Sequence, residues 1–416
     1  MSKSKNRNKK LNIAIAISSF FPSIGGAQVT AHNLATYLEE NNHQVIMIIS
    51  WKNWRKIKNK KFPYKIIPML PGHQSLFSKK YIGKIYNFIM NKYLYFLQKK
   101  YKFDVWQSFG TYPMGISLSK FLHKRNITHI MRTVGYDIQK NEDVQYGYRF
   151  DSKKEKLITQ WAPKCTKAIA LSESVIEDLL DIGVKRDQIE IIPCGVDLSR
   201  FNSFNPDTNI IREKYNLPKN KFLYICVGRN HPKKGFSYLV DAFNKLKINN
   251  LLDDKHLLII GDKVKKLRKK INKLKLSNHI TLIEELGIDD NDDFNVPSRS
   301  LIELYKSSDA CVFPSLIETF AMINIEAMAS HIPVISTDAP GCRESIVENF
   351  DGLLSKPADA EDLSKKLVQI FSSSKLRTKL IDNGIISVLN KYDWKVIGKH
   401  FEDLYQREIS KKELHF

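Results

Sequence analysis

Residues 310–336 read ACVFPSLIETFAMINIEAMASHIPVIS, and this stretch predicts the fold of the chain. Its two ends, Ala310–Phe313 and Pro333–Ser336, have the length and apolar composition of buried β-strands. The middle, Ala321–Ala329, suits a helix because it contains neither Gly nor Pro. A strand, a helix and a second strand in this order are typical of a βαβ unit with parallel strands.

The same alternation of short apolar runs and helical patterns extends over nearly the whole chain, which predicts the α/β class. In the first half we expect strands at Asn12–Ser18, Gln44–Ile49, Asp104–Ser108, Thr128–Arg132, Ala168–Leu171 and Ile189–Ile192. In the second half we expect strands at Phe222–Val227, Leu257–Ile260, His279–Ile283, Ala310–Phe313 and Pro333–Ser336. Helices are expected at Gln28–Glu40, Ser174–Leu180, Phe236–Leu246, Lys263–Lys273, Ser300–Ser307, Ala321–Ala329 and Leu363–Phe371.

The polar segment 202–209 interrupts the alternation, and a new series begins after it. Domains usually have roughly 100–200 residues, so a chain of 416 residues has room for two. We therefore predict two Rossmann-like, doubly wound domains, the first over residues 1–204 and the second from residue 205. Ligands of such sheets bind at the carboxyl ends of the strands, so we expect a site where the two domains face each other across a cleft.

The composition, with 43% hydrophobic and 26% charged residues, excludes a disordered chain, a collagen-like repeat and a disulfide miniprotein. The cysteines are odd in number, widely spaced and never in a CxxC pair, which favours neither a disulfide framework nor a zinc site. They are Cys165, Cys194, Cys226, Cys311 and Cys342. A reducing compartment is the simplest interpretation.

The net charge of +22 is concentrated at the start of the chain. Residues 1–102 contain 19 Lys and Arg but only two acids, Glu39 and Glu40. A basic face of this kind attracts nucleic acid, an anionic membrane surface or an acidic substrate, although lysine-rich solvated surfaces give the same count.

No apolar stretch reaches 18 residues, and we interpret the short apolar run 11–20 as a first strand rather than a signal peptide. We therefore expect a cytoplasmic protein.

Residues 76–101 predict a basic amphipathic helix, because lysines alternate with aromatic and aliphatic residues. The lysines are Lys79, Lys80, Lys84, Lys92, Lys99 and Lys100, and the apolar residues include Phe77, Ile85, Phe88, Ile89, Leu94 and Leu97. One hypothesis is that this helix docks on the inner face of an anionic membrane. The alternative is an ordinary surface helix with its apolar side in the core.

Two glycine-containing loops at strand ends are candidates for anion binding. Gly25 and Gly26 precede a helix, and adjacent glycines let backbone N–H groups approach an anion, although a tight turn without a ligand has the same sequence. The loop 227–236 places Arg229 and two lysines beside Gly235 and a helix, which suits a diphosphate as well as an exposed basic turn.

The loop inside the quoted stretch adds two carboxylates, Glu318 and Glu326. Thr319 is positioned to cap the following helix, and the N–H groups of residues 320–323 are positioned to meet a phosphate. Carboxylates accept hydrogen bonds from hydroxyl groups, so the loop suits a ligand that carries both phosphate and hydroxyl groups. The alternative is two helix acids that are satisfied locally or solvated.

These motifs together resemble the retaining glycosyltransferases of the GT-B fold in the large family 4 group. The resemblance covers nearly the whole chain. It rests on Gly25-Gly26, Ile192-Pro-Cys-Gly-Val-Asp197, Gly228-Arg229 with Lys234-Gly235, the Glu318/Glu326 pair and Tyr392-Asp-Trp394. It implies that residues 205–391 bind the nucleotide-sugar and that 392–416 form a helix crossing back onto the first domain. It also implies retention of anomeric configuration, and a role in synthesis of cell-surface glycan or glycolipid.

The resemblance further implies roles for single residues. Arg229 and Lys234 would bind the donor diphosphate, Glu326 would hold the nucleotide ribose, and Glu318 would contact the transferred sugar. The catalytic residues would thus be Glu318, Arg229 and Lys234. The rest of the donor site would be formed by Gly25, Gly26 and the segment Thr319, Phe320, Ala321, Met322 and Ile323.

The chain departs from the family on the acceptor side. Where a His-Gly-x-Asp motif is common, this sequence has Val134-Gly135-Tyr136-Asp137. Valine cannot take a polar role, so Arg132, Gly135 and Asp137 become the acceptor-side candidates. Ala321 and His331 replace usual glycines, which predicts an atypical donor pocket.

The expected chemistry is loss of a nucleoside diphosphate, whose growing charge Arg229, Lys234 and the helix N-terminus would stabilise. No Asp-x-Asp motif occurs in these loops, so we predict no metal and no cofactor besides a UDP- or GDP-sugar as co-substrate. The acceptor would be a saccharide or a lipid-linked molecule. Alternatives are an epimerase or a phosphorylase of the same architecture. A nicotinamide oxidoreductase is disfavoured without GxGxxG. A non-catalytic protein that binds nucleic acid or another polyanion is a further alternative, which would explain the net charge of +22 but not Glu318 and Glu326.

Overall fold

The computed structural model describes residues 9–69, 82–284, 286 and 296–414. The chain divides into two compact units. Unit 1 is formed by Met1–Pro193 with Trp394–Phe416, and unit 2 is formed by Cys194–Asp393. Each unit contains one parallel β-sheet with helices packed against it, so the predicted α/β class with two Rossmann-like sheets is confirmed.

The sheet of unit 1 has seven strands in the order β3-β2-β1-β4-β5-β6-β7. The strands are β1 Asn12–Ile17, β2 Gln44–Ser50, β3 Lys65–Met69, β4 Val105–Phe109, β5 Thr128–Arg132, β6 Lys167–Ala170 and β7 Ile189–Ile191. The helices are α1 Gly26–Glu40, α2 Trp51–Ile57, α3 Ile82–Tyr101, α4 Ile116–Leu122, α5 Ser152–Trp161, α6 Ser174–Asp181 and, from the end of the chain, α15 Trp394–Glu413. The strand order reverses between β1 and β4, which is the topological switch point of this sheet.

The sheet of unit 2 has six strands in the order β10-β9-β8-β11-β12-β13, with its switch point between β8 and β11. The strands are β8 Phe222–Val227, β9 Lys255–Ile260, β10 Ile280–Ile283, β11 Ala310–Phe313, β12 Val334–Thr337 and β13 Leu353–Ser355. The helices are α7 Leu198–Asn202, α8 Thr208–Lys214, α9 Phe236–Ile248, α10 Arg268–Lys273, α11 Arg299–Lys306, α12 Met322–Ala329, α13 Ala360–Ser372 and α14 Ser374–Ser387.

Burial on both faces of the central strands explains their unbroken apolar sequences. In β1 every residue after Asn12 is buried, and β11 is buried throughout. On one face of the first sheet, Ala14 and Ala16 pack with Met90 and Leu94 of α3. A strand that is covered on both faces has no position for a solvated side chain, so it does not show the apolar–polar alternation of an exposed sheet.

Two strands were not predicted, and both lie at sheet edges. The strand β3 contains Pro68 and begins at an exposed lysine, and proline is tolerated at an edge because its missing N–H does not interrupt the ladder. The strand β13 has only three residues. The predicted helix at 76–101 is described from Ile82, and residues 76–81 lie outside the described part.

The segment after Pro193 is held by unit 2. The amide of Val196 donates to the carbonyl of Tyr392 (2.8 Å), and Arg200 Nε donates to the carbonyl of Pro297 (2.9 Å). The change of unit therefore comes before residue 204. Asp197, in the loop that we interpreted as structural, caps α7 by accepting from the amide of Arg200 (3.2 Å).

The last helix, α15, belongs to unit 1. Its Tyr405 hydroxyl donates to Gln107 Oε1 of β4 (3.0 Å), and Glu402 lies 3.3 Å from His43 Nε2. Within the described residues, no helix has the combination of length and apolar composition that crossing a bilayer requires.

Candidate functional site

The site is assembled where the loops after β8 and β11 meet, at the switch point of unit 2. The amide of Leu316 donates to the carbonyl of Lys233 (2.7 Å), which joins the two loops directly. Gly235 has φ +65°, and a Cβ there would lie 1.9 Å from the carbonyl oxygen of Pro314. Only glycine combines this backbone angle with this close approach. The lysine-bearing loop is therefore fixed against the loop that carries Glu318.

Glu318 is the centre of the charged cluster. Its Oε1 accepts from Lys234 Nζ (2.5 Å) and Ser315 Oγ (2.9 Å), and its Oε2 accepts from Lys233 Nζ (3.1 Å). Burial alone would raise the pKa of Glu318, but the charges of Lys234 and Lys233 and their hydrogen bonds outweigh it and lower this pKa to about 2. The side chain is thus a carboxylate at every physiological pH.

A third loop, after β12, fixes the backbone of Glu318. The amide of Glu318 donates to the carbonyl of Pro340 (2.8 Å). Gly341 has φ +74°, and a Cβ there would lie 2.1 Å from the carbonyl oxygen of Glu318. Three consecutive strand-end loops in the sheet therefore converge on this residue, as a preorganised site requires.

The helix after Glu318 begins at Met322, and its N-cap residue is Ala321, which makes no side-chain cap. The prediction that Thr319 caps this helix is therefore wrong, because Thr319 lies two residues before the N-cap position. The amide of Ala321 donates to the carbonyl of Gly341 (2.8 Å), and that of Met322 donates to the carbonyl of Phe320 (3.1 Å). A phosphate would have to compete with these carbonyls for two of the amides in the segment Thr319–Ile323.

Glu326 lies in the middle of α12, one turn inside the helix rather than at its start. It is buried, and Tyr305 of α11 donates a hydrogen bond from its hydroxyl to Oε2 (3.2 Å). Burial raises the pKa of Glu326 to about 7, against the opposing effects of the Tyr305 hydrogen bond and the charge of Lys234. The two carboxylates of the predicted pair therefore differ in protonation near neutral pH.

Arg229 follows the same glycine turn as the lysines. It is exposed, directly after Gly228, whose φ is +150°. The ammonium group of Lys234 lies 4.7 Å from the ring centroid of Phe313 at the end of β11. The three cations of this loop, Arg229, Lys233 and Lys234, thus stand at the carboxyl edge of the sheet.

In unit 1 the glycine pair stands at the start of α1. The helix begins at Gly26, and Gly25 is its N-cap without a side-chain cap. Gly25 has an extended backbone, with φ −176°, which any residue adopts. The conformation therefore does not require a glycine at residue 25, and the structure leaves the predicted anion contact as a prediction.

The acceptor-side candidates support the loop after β5. Asp137 is buried, and its two carboxylate oxygens accept from the amides of Thr111 (2.5 Å) and Val134 (3.0 Å). Gly135 has φ +105°, which explains the glycine. Arg132 is buried with its guanidinium 5.4 Å from the ring centroid of Phe109. Asp137 thus joins the loops after β4 and β5, and the acceptor-side role of Arg132, Gly135 and Asp137 stays a prediction.

Lys233, Ser315 and Tyr305 were not among the predicted site residues. The Lys233-Lys234 pair was visible in the sequence, but nothing there indicated that both lysines would reach Glu318. Tyr305 lies in α11, 13 residues before Glu318. The sequence signal that could have found it is a tyrosine on the apolar face of a helix. Such a side chain is buried, and its hydroxyl then requires a hydrogen-bond partner.

Comparisons with known proteins agree with this architecture. Residues 24–200 match the family model Glycosyltransferase Family 4, and residues 207–386 match the model Glycosyl transferases group 1. The uncharacterized glycosyltransferase MJ1178 of Methanocaldococcus jannaschii is 25% identical over 93% of this chain and 97% of its own length. The UDP-Gal:alpha-D-GlcNAc-diphosphoundecaprenol alpha-1,3-galactosyltransferase of Escherichia coli is 26% identical over 59% of this chain and 64% of its own length.

Solved structures show the same fold. A glycosyltransferase from Rickettsia africae superposes with a TM-score of 0.75 at 23% identity, covering 96% of this chain and 99% of that one. Alr3699/HepE of Anabaena, solved with UDP-glucose, superposes with a TM-score of 0.73 at 15% identity, covering 95% of this chain and 99% of its own. Two parallel-sheet Rossmann-like domains of this kind define the GT-B class of glycosyltransferases. Within that class, the chain belongs to glycosyltransferase family 4.

Proposed function

We propose that this glycosyltransferase moves a sugar from a UDP- or GDP-sugar to a hydroxyl group of a saccharide or lipid-linked acceptor, with retention of anomeric configuration. The observation that carries the proposal is the cluster of Lys233, Lys234 and Glu318 at the switch point of unit 2. With Arg229 the cluster has three cations and one carboxylate. The excess of two positive charges matches a diphosphate.

The cations would stabilise the leaving group. Departure of a nucleoside diphosphate builds negative charge on the phosphate oxygens, so groups that bind the departing diphosphate more tightly than the intact donor lower the barrier. Arg229 and Lys234 are the groups we assign to this task, and Lys233 helps to hold Glu318 in place. The phosphate contact predicted for the Gly25-Gly26 turn of unit 1 stays a separate prediction.

The two carboxylates would orient the donor. Glu318 is ionised and has both oxygens directed by neighbouring donors, so it is suited to accept hydrogen bonds from the hydroxyls of the transferred sugar. Glu326 would accept from the ribose hydroxyls. Tyr305 donates to Oε2 of Glu326 and thereby fixes the plane of that carboxylate.

The relatives support the donor and acceptor classes. The Escherichia coli relative is named for UDP-Gal and for a diphosphoundecaprenol acceptor, and HepE was solved with UDP-glucose. A uridine nucleotide donor and a lipid-linked acceptor are therefore the first substrates to test, in a pathway that makes cell-surface glycan or glycolipid. We propose a cytoplasmic location, where its five buried cysteines, none of which forms a disulfide, would remain reduced.

A thermal-shift panel of UDP-, GDP- and ADP-sugars tests the donor site. A ligand that binds the folded state raises its melting temperature, and the free-energy gain grows as RT ln(1 + [L]/Kd). We expect stabilisation by one nucleotide class, lost in Glu326→Ala. Stabilisation by none of them would contradict the proposed donor site, and stabilisation by all three would contradict selection of one nucleotide class. The same shift in the variant as in the wild type would contradict the assignment of Glu326.

The stereochemical outcome is tested separately. Once a donor and an acceptor are found, proton NMR of the first product formed shows whether the new glycosidic bond has the anomeric configuration of the donor. An inverted product would contradict retention and leave the donor assignment intact.

A further inference from the structure

Helix α3 carries apolar side chains on two opposite faces. One face covers the sheet, with Met90, Leu94 and Leu97 at most 4% exposed. The other face carries five large apolar side chains with 50–63% of their surface exposed: Ile85, Phe88, Ile89, Tyr95 and Phe96. A helix that only covers a sheet has one apolar face. Packing against the core therefore explains the inner face of α3 but not the exposed one. Single exposed apolar residues are common in proteins, but a contiguous row of them marks a binding surface.

Lysines interleave with the exposed row. Exposed lysines lie at both ends and in the middle of the row: Lys84, Lys92, Lys99 and Lys100. Lys92 Nζ is 5.6 Å from the ring centroid of Phe88, and Lys100 Nζ is 5.8 Å from that of Phe96. The spacing follows the three- and four-residue repeat of a helix, so the row forms one stripe about 24 Å long. We call this stripe, from Lys84 to Lys100, the outer face of α3.

The charge on the outer face has one sign. The helix Ile82–Tyr101 contains no Asp or Glu. The first 102 residues contain only two acids, Glu39 and Glu40, which both lie in α1. Glu39 already accepts a hydrogen bond from the amide of Val45 (2.8 Å). A partner for this face must therefore supply both apolar volume and negative charge.

We propose that the outer face of α3 docks on an anionic lipid bilayer, with its aromatic and aliphatic side chains in the interfacial region and its lysines at the phosphate groups. An amphipathic helix with lysines beside aromatic residues binds in this way, parallel to the membrane plane. Long lysine side chains reach the headgroups while their methylene stems lie along the apolar side chains. The proposal rests on the proposed function only in that a lipid-linked acceptor gives the enzyme a reason to be at the membrane.

The charge pattern favours a bilayer over a second copy of this chain. In a twofold contact the same face meets itself, so four lysines would oppose four lysines without any acid between them. A nucleic acid would satisfy the lysines but would leave Ile85, Ile89 and Phe96 exposed to water. A bilayer of anionic lipid satisfies both requirements at once.

Co-sedimentation of the full chain with lipid vesicles tests the proposal. The vesicles are phosphatidylcholine alone and phosphatidylcholine with phosphatidylglycerol in a 3:1 ratio, at 50 and 300 mM salt. We expect binding to the anionic vesicles at low salt, with weaker binding at high salt because the lysine–headgroup attraction is screened. Equal binding to both kinds of vesicle, or binding to neither, would overturn the proposal.

A matched pair of triple variants locates the surface. Phe88→Ser/Ile89→Ser/Phe96→Ser should lower the partition onto anionic vesicles by about tenfold or more, because three buried apolar side chains are lost from the bilayer. The control, Ile210→Ser/Ile248→Ser/Leu389→Ser, removes three apolar side chains of unit 2 that are 50–69% exposed. It should bind like the wild type. Equal loss in both variants, or in neither, would contradict docking through α3.

Two further measurements separate this proposal from its rivals. The donor thermal shift is recorded for the wild type and for each variant. A variant that loses vesicle binding but keeps a normal donor shift has lost only the membrane contact of α3. Vesicle binding without any donor shift would contradict the proposed donor site and leave the docking proposal intact. Analytical ultracentrifugation tests self-association. A dimer in the wild type that the α3 variant abolishes, without vesicle binding, would assign the face to a second copy and overturn the proposal.

Discussion

The two units have the same strand order around their switch points, yet their loops carry different chemistry. In unit 2 the loops after β8 and β11 contribute two lysines and a buried carboxylate that pair with each other. In unit 1 the corresponding loops, after β1 and β4, contribute buried aromatic side chains, such as Phe20 and Tyr112, and the amide of Thr111, which donates to Asp137. The fold therefore sets where a ligand can bind, and the loop residues decide what it is.

The largest expected effect comes from the carboxylate of unit 2. Glu318→Gln keeps the size of the side chain but removes its charge and one acceptor oxygen, so it weakens the hold on Lys233, Lys234 and the sugar. We expect turnover to fall by about 100- to 1,000-fold, as when one preorganised electrostatic group is removed. The fall in turnover is measured from initial rates, with the donor that the thermal-shift panel identifies. A loss below threefold would remove Glu318 from the site.

One glycine from each unit tests whether the loop backbone is more constrained in unit 2 than in unit 1. Gly235→Ala in unit 2 should lower the free energy of unfolding by more than about 2 kcal/mol, because the backbone is left-handed and the new methyl group would overlap the Pro314 carbonyl. Urea unfolding of the full chain measures it.

Gly25→Ala in unit 1 is the matched control. Its backbone is extended, and the nearest atom to a new Cβ, at 2.9 Å, is the end of the flexible Gln28 side chain. We expect a change of about 0.5 kcal/mol or less. Similar destabilisation by both substitutions would show that the loop of unit 2 is not the more constrained of the two.

Asp137 should behave as a structural residue. In Asp137→Asn, the side-chain NH2 group would face the amide of either Thr111 or Val134, so one buried hydrogen bond is lost and two donors oppose each other. We expect a loss of about 1–3 kcal/mol in stability. The donor thermal shift should be unchanged. A lost donor shift with unaltered urea unfolding would instead make Asp137 a ligand-binding residue.

The smallest effect concerns Tyr305 and the pH dependence of donor binding. The ribose hydroxyls donate to the ionised carboxylate, and the pKa of Glu326 in the free protein is about 7. Donor binding should therefore strengthen from pH 6 to pH 8. In Tyr305→Phe the lost hydrogen bond raises the pKa of Glu326 further, so affinity at pH 7 should fall about fivefold.

Isothermal titration calorimetry from pH 6 to pH 9 distinguishes a titration effect from a packing effect. The Tyr305→Phe variant should regain affinity at the highest pH, because Glu326 is then ionised in both proteins. Glu326→Gln has no ionisable group and should bind weakly at every pH. An affinity deficit in Tyr305→Phe that is constant over this range would assign Tyr305 to packing alone.

The two acids also shift stability in opposite directions with pH. The folded-state pKa of Glu318 is lowered to about 2, so its contribution is complete above its unfolded value near 4.5 and is lost as the pH falls toward 2. The folded-state pKa of Glu326 is raised to about 7, so its contribution is complete below the unfolded value and is lost as the pH rises to 7. The loop residue Glu318 therefore stabilises the fold above about pH 4.5, whereas the helix residue Glu326 favours the folded state at acidic pH.

The sequence predicted the central strands well because they are buried on both faces. Continuous apolar runs such as Asn12–Ile17 and Phe222–Val227 have few alternatives to a buried parallel strand. Two of the four edge strands were missed: β3, which is half-exposed and contains Pro68, and the three-residue β13. The sequence of a strand at a sheet edge is less constrained than that of a buried central strand, so its apolar pattern is weaker.

Glu318 and Lys234, which the structure brings together, were named from the sequence, whereas several of the contacts around the candidate residues were missed. Glycine turns and charged loops at strand ends are visible in the sequence as local patterns. The partnership of Tyr305 with Glu326 joins two helices across 21 residues, and the commitment of Asp137 to two amides depends on loops from two strands. Contacts of this kind depend on the packing of separate elements, which no local pattern records.

The position of α15 in unit 1 has a consequence for how the protein is made. Unit 1 is interrupted in the chain, because residues 194–393 of unit 2 are inserted before its last helix. Ile397, Phe401 and Tyr405 of that helix are fully buried. During synthesis from the N-terminus, most of unit 1 emerges from the ribosome before unit 2 but lacks this apolar cover until α15 has also emerged. Unit 2 can therefore complete its core before unit 1 does, although it is synthesised second.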